Sequence, residues 1–384
     1  MFLQIVKTLG PRWALFRLVH AAKLKLGWFK RRLPCRQWQD AGPVPAGLGP
    51  GQTQDWQSGL RERLQRFSRL PSQPAGSAGL GESAPTALAN RILAGETCYF
   101  FHHWFQTGFP PDWFANPFDG GTGSMFDVKR ISKSVETQPE PTDLEVRSTY
   151  AHWSDISDFG NSDIKIIWEP SRFSFVYPLA AAYEETADNK YAEAFWQAVE
   201  DWREKNPPQC GPNWMCGQEV AVRMIAWVYG YNTYKDAPPT TKERARMLGQ
   251  MIAVSAERID VNIKYALSQN NNHGISEAAG LFTAGIVLDH VKWRNKGKKL
   301  LEIQARRLIY DDGSFSQHST NYHLIMLDAY HWVLMLAEAN EVGFSDELHR
   351  RVKLAEDWLE AMTDPVSGNT PNLGCNDSGR VVHA

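Results

Sequence analysis

The first acidic residue of this 384-residue chain is Asp40. No apolar run approaches the roughly 20 residues needed to cross a bilayer, so no segment reads as a transmembrane helix. The opening Met1–Lys7 breaks its apolar run too early for a secretory core, and no small-residue cleavage site follows. Five cysteines, Cys35, Cys98, Cys210, Cys216 and Cys375, form no metal-binding spacing. Cys210 and Cys216 are near enough to pair, but the odd total and scattered positions favour reduced thiols. Strand-like alternation is scarce, with Asp163–Glu169 the best candidate, and no strict repeat supports a solenoid. Charge is nearly balanced, with 41 Lys and Arg against 43 Asp and Glu, so nucleic acid is not an expected partner.

The basic residues are unevenly placed. Lys7, Arg12, Arg17, Lys23, Lys25, Lys30, Arg31, Arg32 and Arg36 make residues 1–37 a basic N-terminal helix. Its charge is either a solvated face or a contact for a membrane surface or an acidic glycan. Residues 38–87 read as a flexible Gly/Pro/Ser-rich segment holding one short helix, Asp55–Phe67. Residues 88–150 read as irregular, with Asp127–Arg147 a polar loop or insertion. Beyond Arg172 the pattern changes. Segments near 173–186, 190–204, 218–234, 241–267, 275–289, 294–309, 320–340 and 346–362 carry apolar residues at spacings of three and four, separated by Pro- and Gly-containing breaks. The fold is therefore mostly α, built of antiparallel hairpins. A ring or arc of these would be an (α/α) toroid, although periodicity alone gives only a helical protein. Fifteen Trp suit both sugar stacking and helical cores, and core filling is the default for each.

Two segments carry the chemistry. Asn271-Asn272-His273 precedes the helical run Gly274-Ile-Ser-Glu277. An Asn there caps the helix, and the same geometry lets an amide and an imidazole hold an anion at the helix N-terminus. Asp312-Gly-Ser-Phe leads to Asn321-Tyr322-His323 at the start of the next apolar helix. A phenol there either packs on the core or moves a proton. His318, His323 and His331 lack the spacing of a helical zinc site, so neither a metal nor a cofactor is expected. Glu219 and Arg223, four apart, read as an intrahelical ion pair, or, with Asn213 and Trp214, as the rim of a sugar cleft; Glu169 and Arg172 invite the same two readings. Glu219 with Glu277 would also suit a glycoside hydrolase.

Taken in order, these pieces resemble the heparinase II/III-like polysaccharide lyases. The matching segments are His152-Trp153-Ser-Asp-Ile, Asp163-Ile-Lys165-Ile-Ile-Trp168-Glu169-Pro-Ser-Arg172-Phe, Asn206-Pro-Pro with Gly211-Pro-Asn213-Trp214, Glu219-Val-Ala-Val-Arg223, Asn271-Asn272-His273, Asp312-Gly-Ser-Phe, Asn321-Tyr322-His323 and Pro371-Asn-Leu-Gly. The resemblance implies an (α/α) toroid over 88–363, and a C-terminal antiparallel β-sandwich of which 364–384 would be only a truncated start. It implies cleavage of a uronic-acid-containing polysaccharide, such as a glycosaminoglycan or alginate, by β-elimination. Asn272 and His273 would neutralise the carboxylate, and Tyr322 would act as general acid or base. Asn213, Trp214, Glu219, Arg223, Asn271 and His323 would line the substrate. The partner is then an acidic polysaccharide, and a periplasmic or other extracytoplasmic location follows by resemblance, with a cytoplasmic one as alternative. The rival functions are the hydrolase and a truncated, non-catalytic glycan-binding protein.

Overall fold

All eight segments of apolar spacing are helices, and they alternate between two kinds of surface. The computed structural model describes residues 10–41, 85–119, 151–156, 163–377 and 380–381. Helices α1 (Pro11–Lys25) and α2 (Trp28–Arg32) form the basic N-terminal segment, and α3 (Pro85–Leu93) precedes a hairpin of β1 (Glu96–Tyr99) and β2 (His103–Gln106). Helix α4 (Lys165–Ser171) leads into α5 (Val176–Thr186), α6 (Asn189–Lys205), α7 (Gly217–Tyr234), α8 (Lys242–Gln269), α9 (Asn272–Val287), α10 (Val291–Leu308), α11 (Thr320–Ala339) and α12 (Asp346–Met362).

Helices α5, α7, α9 and α11 pack side by side as an inner row, and α6, α8, α10 and α12 lie against its outside. Composition dictates the assignment. Helix α9 carries one charged residue, Glu277, and is buried nearly all round. Helix α10 carries seven Lys and Arg and buries only Trp293, Gly297, Leu301, Gln304, Ala305 and Leu308, a single stripe. Small residues bring helices close, both within the inner row and between the rows. A Cβ on Gly280 would lie 2.7 Å from the Ala221 side chain, and one on Gly297 would lie 2.6 Å from the Phe282 amide nitrogen. Asp188, Thr241, Asn271, His290, Ser319 and Ser345 each accept a first-turn N–H, so six of these helices begin on a side-chain cap. The result is the mostly helical, incomplete (α/α) toroid expected from the sequence.

The ends of the inner row are joined by the C-terminal segment. Thr320 donates its hydroxyl to the Pro371 carbonyl, Arg380 makes a two-pronged ion pair with Asp328 of α11, and the Tyr177 hydroxyl of α5 donates to the Val381 carbonyl. This segment thus spans from the last inner helix to the first.

Several expectations need correction. Asp163–Glu169 is not a strand: most of it is helix α4, because a short apolar run fits either period and here Ile166, Ile167, Glu169 and Pro170 are all buried. Residues 88–119 are not irregular throughout, since they include most of α3 and a hairpin pairing Glu96 with Gln106 and Tyr99 with His103; four-residue strands are too short to leave a period. Cys210 is bonded to Cys35, with Cα atoms 5.3 Å apart, and not to Cys216. The expected helix 55–67 and the loop 127–147 lie outside the described residues.

Candidate functional site

The N-termini of α7, α9 and α11 meet at one rim of the inner row. The Asn271 side chain caps α9 by accepting the His273 amide at 3.1 Å. The next side chain, Asn272, is 1 % exposed and donates to Gln218 Oε1 at 2.7 Å across to α7. Its backbone N–H donates to Gln317 Oε1 at 2.8 Å, on the segment leading into α11. Every residue of α9 is buried except His273. Its Nδ1 lies 3.8 Å from Cys216 Sγ. Burial holds the imidazole below its ordinary pKa, against the pull of the Glu219 and Asp377 charges, so it is neutral at pH 7.

Helix α11 presents Tyr322. Ser319 caps this helix by accepting the Tyr322 amide at 3.2 Å, which fixes the start of the turn that carries the phenol. The hydroxyl donates to Asp377 Oδ2 at 2.5 Å, and Asp377 Oδ1 receives Lys165 Nζ at 3.0 Å. All three side chains are partly exposed. Burial, together with the hydrogen bond to Asp377 and its charge, pushes the phenol pKa well above the ordinary tyrosine value. Burial works against the Asp377 carboxylate, but the Tyr322 hydroxyl and the Lys165 ammonium outweigh it and hold the group below its ordinary range. At neutral pH the site therefore offers a neutral phenol whose proton already points at an ionised carboxylate.

Beneath the rim lies a buried layer of three guanidiniums and three carboxylates. Arg172 bridges Glu169, three residues earlier, and Glu219 of α7, which it grips through Nε at 2.7 Å and Nη2 at 3.0 Å. Arg223 donates to the carbonyls of Ser171 and Asn213 and lies over the rings of Trp202 at 4.3 Å and Trp227 at 5.6 Å. Arg258 donates to the carbonyls of Trp214 and Met215 and covers Trp153 at 3.7 Å. Glu277 packs against Gly217, where a Cβ would come within 2.4 Å of its carboxyl, and burial pushes its pKa up to about 8 despite the charge of Arg258.

The structure thus brings Asn271, Asn272, His273 and Tyr322 to one rim and places the other predicted residues elsewhere. His323 is not beside Tyr322 in a cleft: it is fully buried, bonded to the Ala355 carbonyl at 2.9 Å and stacked on Trp358. One helical step turns it into the α11–α12 contact. Asn213, Trp214 and Arg223 are 0 % exposed and Glu219 is 3 % exposed, so they support the rim from below and do not face a sugar. The anticipated Glu219–Arg223 pair gives way to Glu219–Arg172, whereas Glu169–Arg172 does form. A hydrolase using Glu219 and Glu277 finds both carboxyls sealed from solvent, the second at 4 % exposure. Four rim residues escaped sequence reasoning: Gln218, Gln317, Lys165 and Asp377. Lys165 stands inside a recognised segment and Asp377 follows closely on one, so position in those segments was the one available signal. Chemically the rim can hold an anion on helix N-termini and shuttle a proton through the phenol.

Comparison with known proteins gives a consistent picture. Residues 121–373 match the family model for the heparinase II/III N-terminus. A heparin-sulfate lyase of Bacteroides thetaiotaomicron is 29 % identical over 181 residues, which cover 45 % of this chain and 25 % of that protein. One of Pedobacter heparinus is 24 % identical over 224 residues, covering 55 % and 33 %. The crystal structure of a heparan sulfate lyase from Pedobacter heparinus superposes with a TM-score of 0.54 at 17 % identity, over 85 % of this chain and 46 % of that one. The matched regions span a third or less of the curated relatives and under half of that solved chain.

Proposed function

Because this chain belongs to the heparinase II/III N-terminus family, we propose that it cleaves a uronic-acid-containing polysaccharide by β-elimination at the rim formed by α7, α9 and α11. Relatives named for heparin sulfate make a sulfated glycosaminoglycan the first substrate class to try. The observation that carries the proposal is the 2.5 Å contact between the Tyr322 hydroxyl and Asp377, at the same rim as the one partly exposed residue of α9.

β-Elimination requires that the C5 proton be acidified and that the 4-oxygen leave protonated. The carboxylate of the sugar meets His273 first; Asn272, 1 % exposed, is reached when its bond to Gln218 opens, and an ionised acceptor then binds that donor more strongly than the neutral one. His273 adds an N–H, and the first turn of α9 adds its dipole, so charge developing beside C5 is stabilised. Tyr322 gives its proton to the departing 4-oxygen. As base it takes the C5 proton while passing its own to Asp377; the electrons of the C5–H bond form the C4–C5 double bond as the C4–O bond breaks. Asp377 then returns its proton through Tyr322, and the net transfer runs from C5 to the 4-oxygen. Lys165 balances the Asp377 charge throughout.

The test is ultraviolet absorbance of the 4,5-unsaturated uronate on incubating the chain with heparan sulfate, heparin, hyaluronan and alginate. A rise that disappears in Tyr322→Phe supports the lyase. Reducing ends released without absorbance would point to hydrolysis, and glycan binding without turnover would leave a binding protein.

A further inference from the structure

Helix α1 sits on the toroid with its sides reversed. Its inward face is aromatic and polar: Trp13 Nε1 donates to the Ser268 carbonyl at 2.8 Å, His20 stacks on Tyr265 at 4.5 Å and bonds Asn262 at 3.1 Å, and the Arg17 guanidinium covers Tyr265 at 4.9 Å. All three partners belong to α8. Leu24 packs against the core, but the other large aliphatic side chains of this segment point the other way. Leu15, Leu18, Val19 and Leu26 are 62 %, 59 %, 45 % and 69 % exposed. Together with Ala22 they fall at steps of three and four, so they form one continuous stripe. A helix that merely covered a core would bury these side chains and leave His20 and Arg17 to water.

Arg12 and Lys25 are exposed on α1, as are Arg31 and Arg32 on the following helix α2, and no carboxylate precedes Asp40 in the chain. Two cations of the segment are paired elsewhere, Lys30 with Asp155 at 2.7 Å and Arg36 with Glu257 at 3.3 Å. Among the described residues no helix is long and apolar enough to cross a membrane, so apolar contact at this helix is made at a surface.

We propose that α1 docks the protein onto an anionic lipid bilayer, with the leucine stripe in the acyl boundary and the flanking cations on the headgroups. Only that partner matches both halves of the pattern. A polyanionic glycan engages the cations and leaves the leucines in water. A second copy of the chain meets the leucines but sets like charges against each other. The docking surface uses a different helix from the rim: α1 rests on α8, and its Trp13 end reaches Ser268, three residues before the capping Asn271, whereas the rim is built by α7, α9 and α11.

The experiment is co-sedimentation of the full chain with phosphatidylcholine vesicles, with and without phosphatidylglycerol, at low and high salt. Binding is expected to the anionic vesicles, to weaken with salt, and to be nearly absent on phosphatidylcholine alone. The double change Leu15→Ser with Leu18→Ser is expected to reduce partitioning about tenfold or more. Arg31→Gln with Arg32→Gln is expected to reduce it by about tenfold. These side chains are exposed, so melting curves should match the parent. No binding to anionic vesicles would overturn the proposal, as would equal binding by parent and both variants. Capture by heparin that ignores the leucine changes, or a leucine-dependent dimer with no vesicle binding, would replace the bilayer with a glycan or a second copy.

Discussion

Tyr322 and Asp377 share a proton position: the hydroxyl of one lies 2.5 Å from Oδ2 of the other, and Lys165 holds the second oxygen at 3.0 Å. The carboxylate keeps the phenol protonated and aimed. Replacing Tyr322 by Phe removes the proton carrier and should lower kcat by about 10²–10⁴-fold while glycan binding persists. Asp377→Asn should lower kcat by about 10²–10⁴-fold with KM little changed, because the acceptor of the phenol proton is lost. It should also let the phenol ionise at lower pH. Spectroscopic titration of Tyr322, read as the difference from Tyr322→Phe, checks this; an unchanged titration would remove Asp377 from the mechanism.

Substrate affinity should depend on pH through His273. Burial depresses the free imidazole pKa, and an arriving carboxylate raises it, so binding takes up a proton. Affinity should therefore fall as pH rises through the pKa of the complex. In His273→Gln that slope should vanish, whatever the loss in affinity itself. Isothermal titration in two buffers of different ionisation enthalpy measures the proton directly, and zero uptake by the parent would refute the account.

Glu277 sets an alkaline limit on stability. Its folded pKa of about 8 is raised from the ordinary 4.5, so the stability it contributes is full below about 4.5 and is lost as pH rises through 8. Glu277→Gln stays neutral. Its Tm should gain on the parent across this window, by the equivalent of about 5 kcal/mol at about 1.4 kcal/mol per pKa unit. Parallel melting curves for the two proteins would show that the carboxyl does not titrate there.

Removing Arg172 should be more damaging than removing a surface cation. Arg172→Met leaves Glu169 and Glu219 buried and facing one another without a counter-charge, a loss of about 3–5 kcal/mol. Arg172→Lys should recover only part of it, since an ammonium cannot span both carboxylates in the forked geometry. Chemical denaturation of both variants measures the difference, and a Lys variant as stable as the parent would discount the fork.

The helices were legible because each outer one writes its buried stripe into the sequence and each begins at a recognisable cap or break, as Thr241 does for α8 and Ser345 for α12. The strands were not, because four residues cannot establish a period and Tyr99 alone of β1 is buried. At the rim, Asn272, His273 and Tyr322 stood out as polar groups at the threshold of apolar helices. Their partners did not. Asp377 is 55 residues from Tyr322 and 212 from Lys165, and a hydrogen bond across such distances leaves no local pattern. Residue type misled in the other direction at Trp214 and Arg223, whose sugar-binding chemistry is spent on the interior. His323 misled because adjacent positions on a helix face different neighbours.

Helix α9 has one further consequence. A protein can usually lose its activity by drift at many surface positions around the site while keeping its fold. Here the central helix offers a single position, 273, at which a change can silence the chemistry and leave the packing alone; every other substitution along α9 is judged first by whether the molecule still assembles. Under the proposed lyase reaction, descendants that lose it should record the loss at that position and in the segments entering α7 and α11, with the rest of α9 nearly unaltered.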